Sequence, residues 1–328
     1  MTLSEGLRNF ISEYTKDNSF TFLPLKKGFS DRNIFRIISG NFSFIAVESE
    51  LVAENIAFIE FTKSFKRLNF RVPDILKISD DNSMYLTVDL GEKTFYDFII
   101  ENSRERNLLL KFYRKALNDL FIFQTRGDTV IDYKYCYQTA SFNSEQIISD
   151  ENKFIKYYGQ YLPGFDTGLF KDSFSVLNDK ITSVNSGYFM YRDFQPRNII
   201  INNGELHYID YQSGRKGPLQ YDLASFLYSG SIDVTIEERT FLLKHYFDNI
   251  KKEEIESVIF LESFNYFIII RLLQMIGSYA YQITEKDTTP SYFNGKIKKV
   301  IAHLERINDS ISEKEIKIML DKIIFIHI

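Results

Sequence analysis

Three oxygen-bearing side chains, Asp193, Asn198 and Asp210, are spaced for metal-assisted transfer chemistry. Asn198 opens an apolar run over 198–201, and a second run over 206–210 follows Asn202-Asn203-Gly204. An Asn-Gly pair between two apolar runs is a strong hairpin signal, because both residues tolerate the positive φ that a tight turn requires. The hairpin brings Asn198 and Asp210 near each other. Amide and carboxylate oxygens suit a hard cation such as Mg²⁺, which keeps several waters and is normally completed by substrate phosphates. Asp193, in the loop five residues before Asn198, is not needed for the metal and is left to accept a proton from a hydroxyl.

The elements that must position these residues change character along the chain. Thr2-x-x-Glu5 has the form of a capping box, and Leu7, Phe10, Ile11 and Tyr14 recur behind it at helical spacing. Segments 20–25, 33–38 and 42–47 are rich in β-branched and aromatic residues, with turn-forming stretches between them, and predict an antiparallel meander. A helix over 53–65 and a strand over 84–88 follow, then Asp89-Leu90-Gly91, which has the character of a hinge. Beyond Gly91 the periodicity is mostly helical, over 94–101, 108–123, 145–158, 173–183, 222–228, 236–247 and 254–283. A further helix is marked by Ile297, Val300, Ile301, Leu304 and Ile307, and a last one begins at a capping box, Ser312-x-x-Glu315. The fold class expected is α+β in two lobes: a small antiparallel sheet lobe over 1–90 and a larger, mainly helical lobe over 91–328.

Composition removes several function classes. The 328 residues carry 40 Lys and Arg against 44 Asp and Glu, a net charge of −4, so no global positive field gathers nucleic acid. The single cysteine, Cys136, rules out an intramolecular disulfide framework and fits a reducing compartment. The four histidines show no metal-ligand spacing. The first residues lack a signal-peptide pattern, and the longest apolar stretch, 266–281, is broken by Arg271 and Gln274. No membrane partner and a cytoplasmic location are the expectation.

Asp193-x-x-x-x-Asn198, Asp210 and Tyr221-Asp222-Leu223-Ala224 together resemble the aminoglycoside phosphotransferase and choline kinase family, which has the protein-kinase-like fold. The resemblance covers most of the chain. It implies an enzyme that uses ATP and Mg²⁺ to phosphorylate a small-molecule acceptor. Asp193 is then the catalytic base, Asn198 and Asp210 hold the metal, and Asp222 braces the loop. Arg192-Asp193-Phe194-Gln195 with Arg197-Asn198, followed by Asp210-Tyr211-Gln212 and Gly217-Pro218, is similar to bacterial kinases of N-acetylmuramate and related amino sugars. An aminoglycoside, choline or another amino alcohol is the alternative acceptor.

The same resemblance assigns nucleotide contacts. Gly28, Ser30, Asp31 and Arg32 lie in a turn between two strands that either folds over the phosphates or is an ordinary hairpin turn. Backbone groups of Val88 and Leu90 would read the adenine edge. Arg192 and Arg197 flank the base and either contact substrate or shape the loop through salt bridges. Arg271 and Gln274 either border the acceptor pocket or belong to a lobe-internal ion pair. The chain departs from the family where the third strand carries a lysine for the phosphates: it reads Ile45-Ala46-Val47-Glu48. Lys26, Lys27, Arg32 or Arg36 must then supply the cation. That departure is also the feature favouring a pseudokinase, a binding module without catalysis, which the intact Asp193, Asn198 and Asp210 oppose.

Overall fold

The computed structural model describes residues 2–25, 32–162, 165–229, 232, 234–255, 257–286 and 290–326. It opens with helix α1 (Glu5–Thr15), whose Leu7, Phe10 and Ile11 are buried. The helix cap is Ser4, not Thr2: the Ser4 hydroxyl accepts the Leu7 N–H at 3.0 Å, the reach available only to the residue directly before the first turn. Strands β1 (Thr21–Pro24), β2 (Asn33–Ser39) and β3 (Phe42–Glu48) form the expected meander. Helix α2 (Val52–Arg67), β4 (Ile75–Ile78) and β5 (Met84–Val88) complete an antiparallel sheet in the order β1-β2-β3-β5-β4. Strand β4, not foreseen, is a four-residue edge strand with a register shift at Ile75 to Lys77, too short and irregular to show an alternation. Phe35, Ile37, Phe44, Ala46 and Leu86 alternate onto one face of the sheet and close over α1. Phe58 of α2 stacks between Tyr85 and Tyr211, with ring centroids 4.9 and 5.1 Å away.

The chain continues through α3 (Phe95–Glu101), α4 (Arg106–Thr125), α5 (Ser144–Tyr161), α6 (Lys171–Thr182), β6 (Tyr188–Met190), β7 (Ile199–Asn202), β8 (Glu205–Tyr208) and β9 (Arg215–Gly217). It closes with α7 (Leu219–Leu227), α8 (Ile236–Lys252), α9 (Ser257–Thr284), α10 (Pro290–Asn308) and α11 (Lys314–Phe325). Two compact units result. The first comprises Met1–Glu101, Arg126–Ala140 and Pro196–Arg215, and holds the five-stranded sheet and the β7–β8 hairpin. The second comprises Asn102–Thr125, Ser141–Gln195 and Lys216–Ile328 and is mainly helical.

In the second unit α9 packs on α5 at Gly277, where an added Cβ would lie 2.9 Å from the Phe154 Cα, so only glycine admits this approach. By length and composition α9 is apolar enough to cross a membrane, with 56% of its most apolar window buried inside the protein. That corrects the reading that Arg271 and Gln274 remove every such stretch. The helix caps differ from expectation as well. Glu313 takes the cap position of α11, makes no cap hydrogen bond and is tied to Lys180, which displaces the expected Ser312 box. A complete capping box stands instead at Thr235 and Glu238, opening α8.

Candidate active site

The β7–β8 hairpin turns at Asn203 and Gly204, with φ of +51° and +76°. The Ile209 N–H donates to the Asn198 carbonyl at 3.0 Å and so ties the residue before β7 to the segment after β8. Ile201 and Tyr208 N–H groups donate to the carbonyls of Lys93 and Arg71, both at 2.8 Å, which pins the hairpin to the first unit. Asn198 Nδ2 then reaches Asp210 Oδ2 at 3.1 Å. Tyr211 anchors the returning segment: its buried hydroxyl hydrogen-bonds Thr62, and its ring lies against Phe58 and Phe65. Asp210 itself has φ +69°, a left-handed backbone that costs a non-glycine residue on the order of 1 kcal/mol or more and persists only where neighbours enforce it.

The other Asp210 oxygen is held by a guanidinium and an amide. Arg32 Nη2 lies 2.7 Å from Oδ1 and Gln212 Nε2 donates to the same atom at 2.8 Å. Arg32 Nε lies 3.3 Å from Glu54 Oε1, which Gln212 Nε2 also meets at 3.1 Å. Arg32 and Glu54 are each 7% exposed, whereas the Asp210 side chain is one-third exposed, at 33%. The donor set fits magnesium. An amide oxygen of Asn198 and a carboxylate oxygen of Asp210 are hard ligands and leave coordination positions for water and phosphate. Among the described residues no group of three His, Cys, Asp or Glu is gathered for a metal, and Mg²⁺ ordinarily keeps several waters beside one or two protein ligands.

The second unit holds Asp193 and its supports. Asp222, fully buried on α7, accepts the Tyr191 N–H at 2.7 Å and the Arg192 N–H at 2.8 Å, one with each oxygen. Burial pushes its carboxyl up to about 7, against the lowering effect of those two N–H bonds. Arg192, at φ +73°, grips both oxygens of Asp150 at 3.0 and 3.1 Å. Asp150 also accepts from Gln146 at 3.1 Å and from Gln274 at 2.7 Å. Arg271 donates to the Tyr221 hydroxyl at 2.7 Å and to the Ser225 hydroxyl at 2.9 Å, and the Tyr221 hydroxyl donates to Gln274 at 2.9 Å. Asp193 therefore leaves a loop whose backbone is set by one buried carboxylate and whose flanking arginine is set by another.

No protein-family model matches this chain. A curated N-acetylmuramate/N-acetylglucosamine kinase of Pseudomonas aeruginosa is 24% identical over 292 residues, 86% of this chain and 82% of that protein. One of the same name from Neisseria meningitidis serogroup B is 23% identical over 239 residues, 69% of this chain and 67% of that protein. The solved Plasmodium vivax ethanolamine kinase has a TM-score of 0.61 at 13% identity, over 87% of this chain and 82% of that one. A choline kinase of Streptococcus pneumoniae gives 0.60 at 12% identity, over 91% and 98%. An ADP-bound aminoglycoside phosphotransferase gives 0.56 at 15% identity, over 91% and 97%.

The chain has the protein-kinase-like fold of small-molecule kinases. The resemblance seen in the sequence and the α+β fold class expected from it both hold. Within this kinase the structure sorts the sequence candidates. Asn198, Asp210 and Arg32 come together in the first unit, and Arg192, Arg271 and Gln274 come together in the second around Asp150 and Tyr221. Arg197 is exposed and stands 3.8 Å over the Tyr96 ring. The Val88 N–H is spent on the Asp74 carbonyl at 2.9 Å. Gly28, Ser30 and Asp31, with Lys26 and Lys27, lie outside the described residues. Arg36 is committed to the segment after β5, where it forms a bidentate pair with Asp89, reaches the Gly91 carbonyl at 3.0 Å and meets Glu92. Glu48, in the lysine's slot, accepts hydrogen bonds from Ser4 and Asn33.

Sequence reasoning missed Asp150, and also Gln212 beside the expected metal position. Asp150 and Glu151 stand among Gln146, Ile147, Phe154 and Tyr158 on the buried stripe of α5. Acids at core spacing of an amphipathic helix were the available signal, since a charge on that face is retained only with a partner.

Proposed function

We propose that this small-molecule kinase transfers the γ-phosphoryl group of ATP to a hydroxyl of an N-acetylated amino sugar, with lobes at 1–90 and 91–328. Asp193 takes the acceptor's proton, and Asn198 and Asp210 hold Mg²⁺. The metal, when bound, neutralises charge on the phosphoryl oxygens. The nucleotide is assigned to Gly28, Ser30, Asp31 and Arg32 and to the Val88 and Leu90 backbone. The acceptor is assigned to the Asp150, Arg192, Arg271 and Gln274 network and to Arg197. A hydroxyl-rich sugar suits this set of charge-paired donors and acceptors, because each hydrogen bond it displaces is replaced by another.

The observation that carries the reading is the paired support of the loop: Asp222 fixing the backbone before Asp193, and the hairpin fixing Asn198 against Asp210. The sugar assignment rests on the two curated relatives, which are named for N-acetylmuramate and N-acetylglucosamine. A cytoplasmic location and the absence of a nucleic-acid partner belong to the same proposal, supported by the net charge of −4 and by the packing of α9 against α5, α7 and α10. ADP release measured with N-acetylmuramate, N-acetylglucosamine, choline, ethanolamine and an aminoglycoside tests it. Turnover with the N-acetylated sugars alone is the expected outcome. Turnover confined to the amino alcohols or the aminoglycoside would move the assignment to those acceptors, and nucleotide binding without turnover on any acceptor would mark a pseudokinase.

A further inference from the structure

We propose that Arg32 is the cation that holds the nucleotide phosphates in this chain, in place of the third-strand lysine whose slot carries Glu48, and that its bridge to Glu54 and Asp210 is the same cation poised before phosphate arrives. The inference rests on the kinase reading above and gives Arg32, one of the residues assigned there to the nucleotide, its specific role.

A guanidinium that is 7% exposed persists only when its charge is matched, and here two carboxylates match it: Glu54 at 3.3 Å through Nε and Asp210 at 2.7 Å through Nη2. The buried Tyr85 side chain lies in the same electrostatic neighbourhood. One arginine therefore touches both the first turn of the helix behind the sheet and the aspartate assigned to the metal. A cation serving the phosphates needs that pair of neighbours, one to anchor it and one to align it with the metal ligand. The other described candidate fails on geometry, since Arg36 is locked by Asp89, Glu92 and the Gly91 carbonyl. Glu48 is turned to Ser4 and Asn33.

Arginine suits the exchange. Its planar fork carries five N–H donors, so Nε stays on Glu54 while the outer nitrogens turn from the Asp210 carboxylate to phosphoryl oxygens. One anion replaces another at the same guanidinium, and Asp210 Oδ1 is released as the phosphates arrive. Gln212, donating to both Glu54 and Asp210, keeps the two carboxylates in place during the swap.

Calorimetric titration of the full chain with ADP, with and without Mg²⁺, paired with steady-state kinetics, tests this. Arg32→Gln is expected to weaken ADP binding and raise the KM for ATP by tenfold or more while the acceptor KM stays within twofold, and Arg32→Lys is expected to recover most of the loss. Arg32→Gln with unchanged ADP affinity overturns the inference, even if kcat falls, and so does Arg32→Lys as weak as Arg32→Gln. If Arg32→Gln does not fold, Arg32→Lys and Glu54→Gln carry the test, each expected to weaken ADP binding measurably, and unchanged binding in both overturns it. Failure of the unsubstituted protein to bind ADP at all would instead remove the kinase reading, and this inference with it.

Discussion

A single buried carboxylate, Asp222, sets the backbone of the loop that carries Asp193, and its removal has a calculable cost. Asp222→Ala strands two N–H groups, that of Tyr191 in a buried position and that of Arg192 in a partly buried one. Each buried, unsatisfied donor costs about 1–3 kcal/mol, so a loss of about 2 kcal/mol or more is expected in urea unfolding at neutral pH. Glu151 makes a prediction of a different kind. Burial, with the Asp150 charge adding to it, pushes its carboxyl up to about 8 from an ordinary 4.5, and its Oε1 has no hydrogen-bond partner among the described residues. A carboxyl whose pKa is higher folded than unfolded favours the fold while protonated. That contribution is complete below about 4.5 and is lost as pH climbs to about 8. Glu151→Gln, permanently neutral, is therefore expected to melt like the unsubstituted protein near pH 4.5 and at a higher temperature above pH 8. An identical difference at both pH values would reject this origin. At this scale Asp193, Asn198, Asp210 and Asp222 were legible because they sit in two short stretches with fixed spacing. The Arg32–Asp210 pair, 178 positions apart, was not, because nothing local couples two residues that only the fold brings together.

Among the elements, the contact of α5 with α9 is set by one missing side chain. Gly277→Ala places a Cβ 2.9 Å from the Phe154 Cα, and backbone has no rotamer to yield. The helices must separate, at about 1–3 kcal/mol, and a matching fall in melting temperature is expected. The substituted protein should also show a raised acceptor KM, because Gln274 on α9 and Asp150 on α5 are hydrogen-bonded across this same contact at 2.7 Å. Retention of both values would mean that the helices carry more slack than their packing shows. The Asn203-Gly204 hairpin and the long apolar helices were readable in advance, since their signals are local and repeated. Capping was less so. A box pattern names residue types, but the cap is whichever residue directly precedes the first turn, which is how Ser4 and Glu313 took the positions assigned to Thr2 and Ser312.

For the molecule as a whole, the division of labour follows the chain. The sheet unit holds Asn198, Asp210 and Arg32, the helical unit holds Asp193 and the Asp150 network, and the chain passes from one to the other between Gln195 and Pro196. The shift from strand-rich to helix-rich character announced the fold class. It did not announce that 126–140 and 196–215 return to the sheet unit, because the pull of a long-range hairpin on distant elements has no local periodicity. The central claim is phosphoryl transfer to a sugar hydroxyl with Asp193 as base, and ³¹P NMR of ATP, Mg²⁺ and N-acetylmuramate incubated with the protein or with Asp193→Ala measures it most directly. A new sugar-phosphate resonance that grows with ADP is expected for the unsubstituted protein, slowed by about a hundredfold or more in Asp193→Ala with ADP affinity retained. Equal transfer by the two proteins, or ATP left intact by both, would contradict the account.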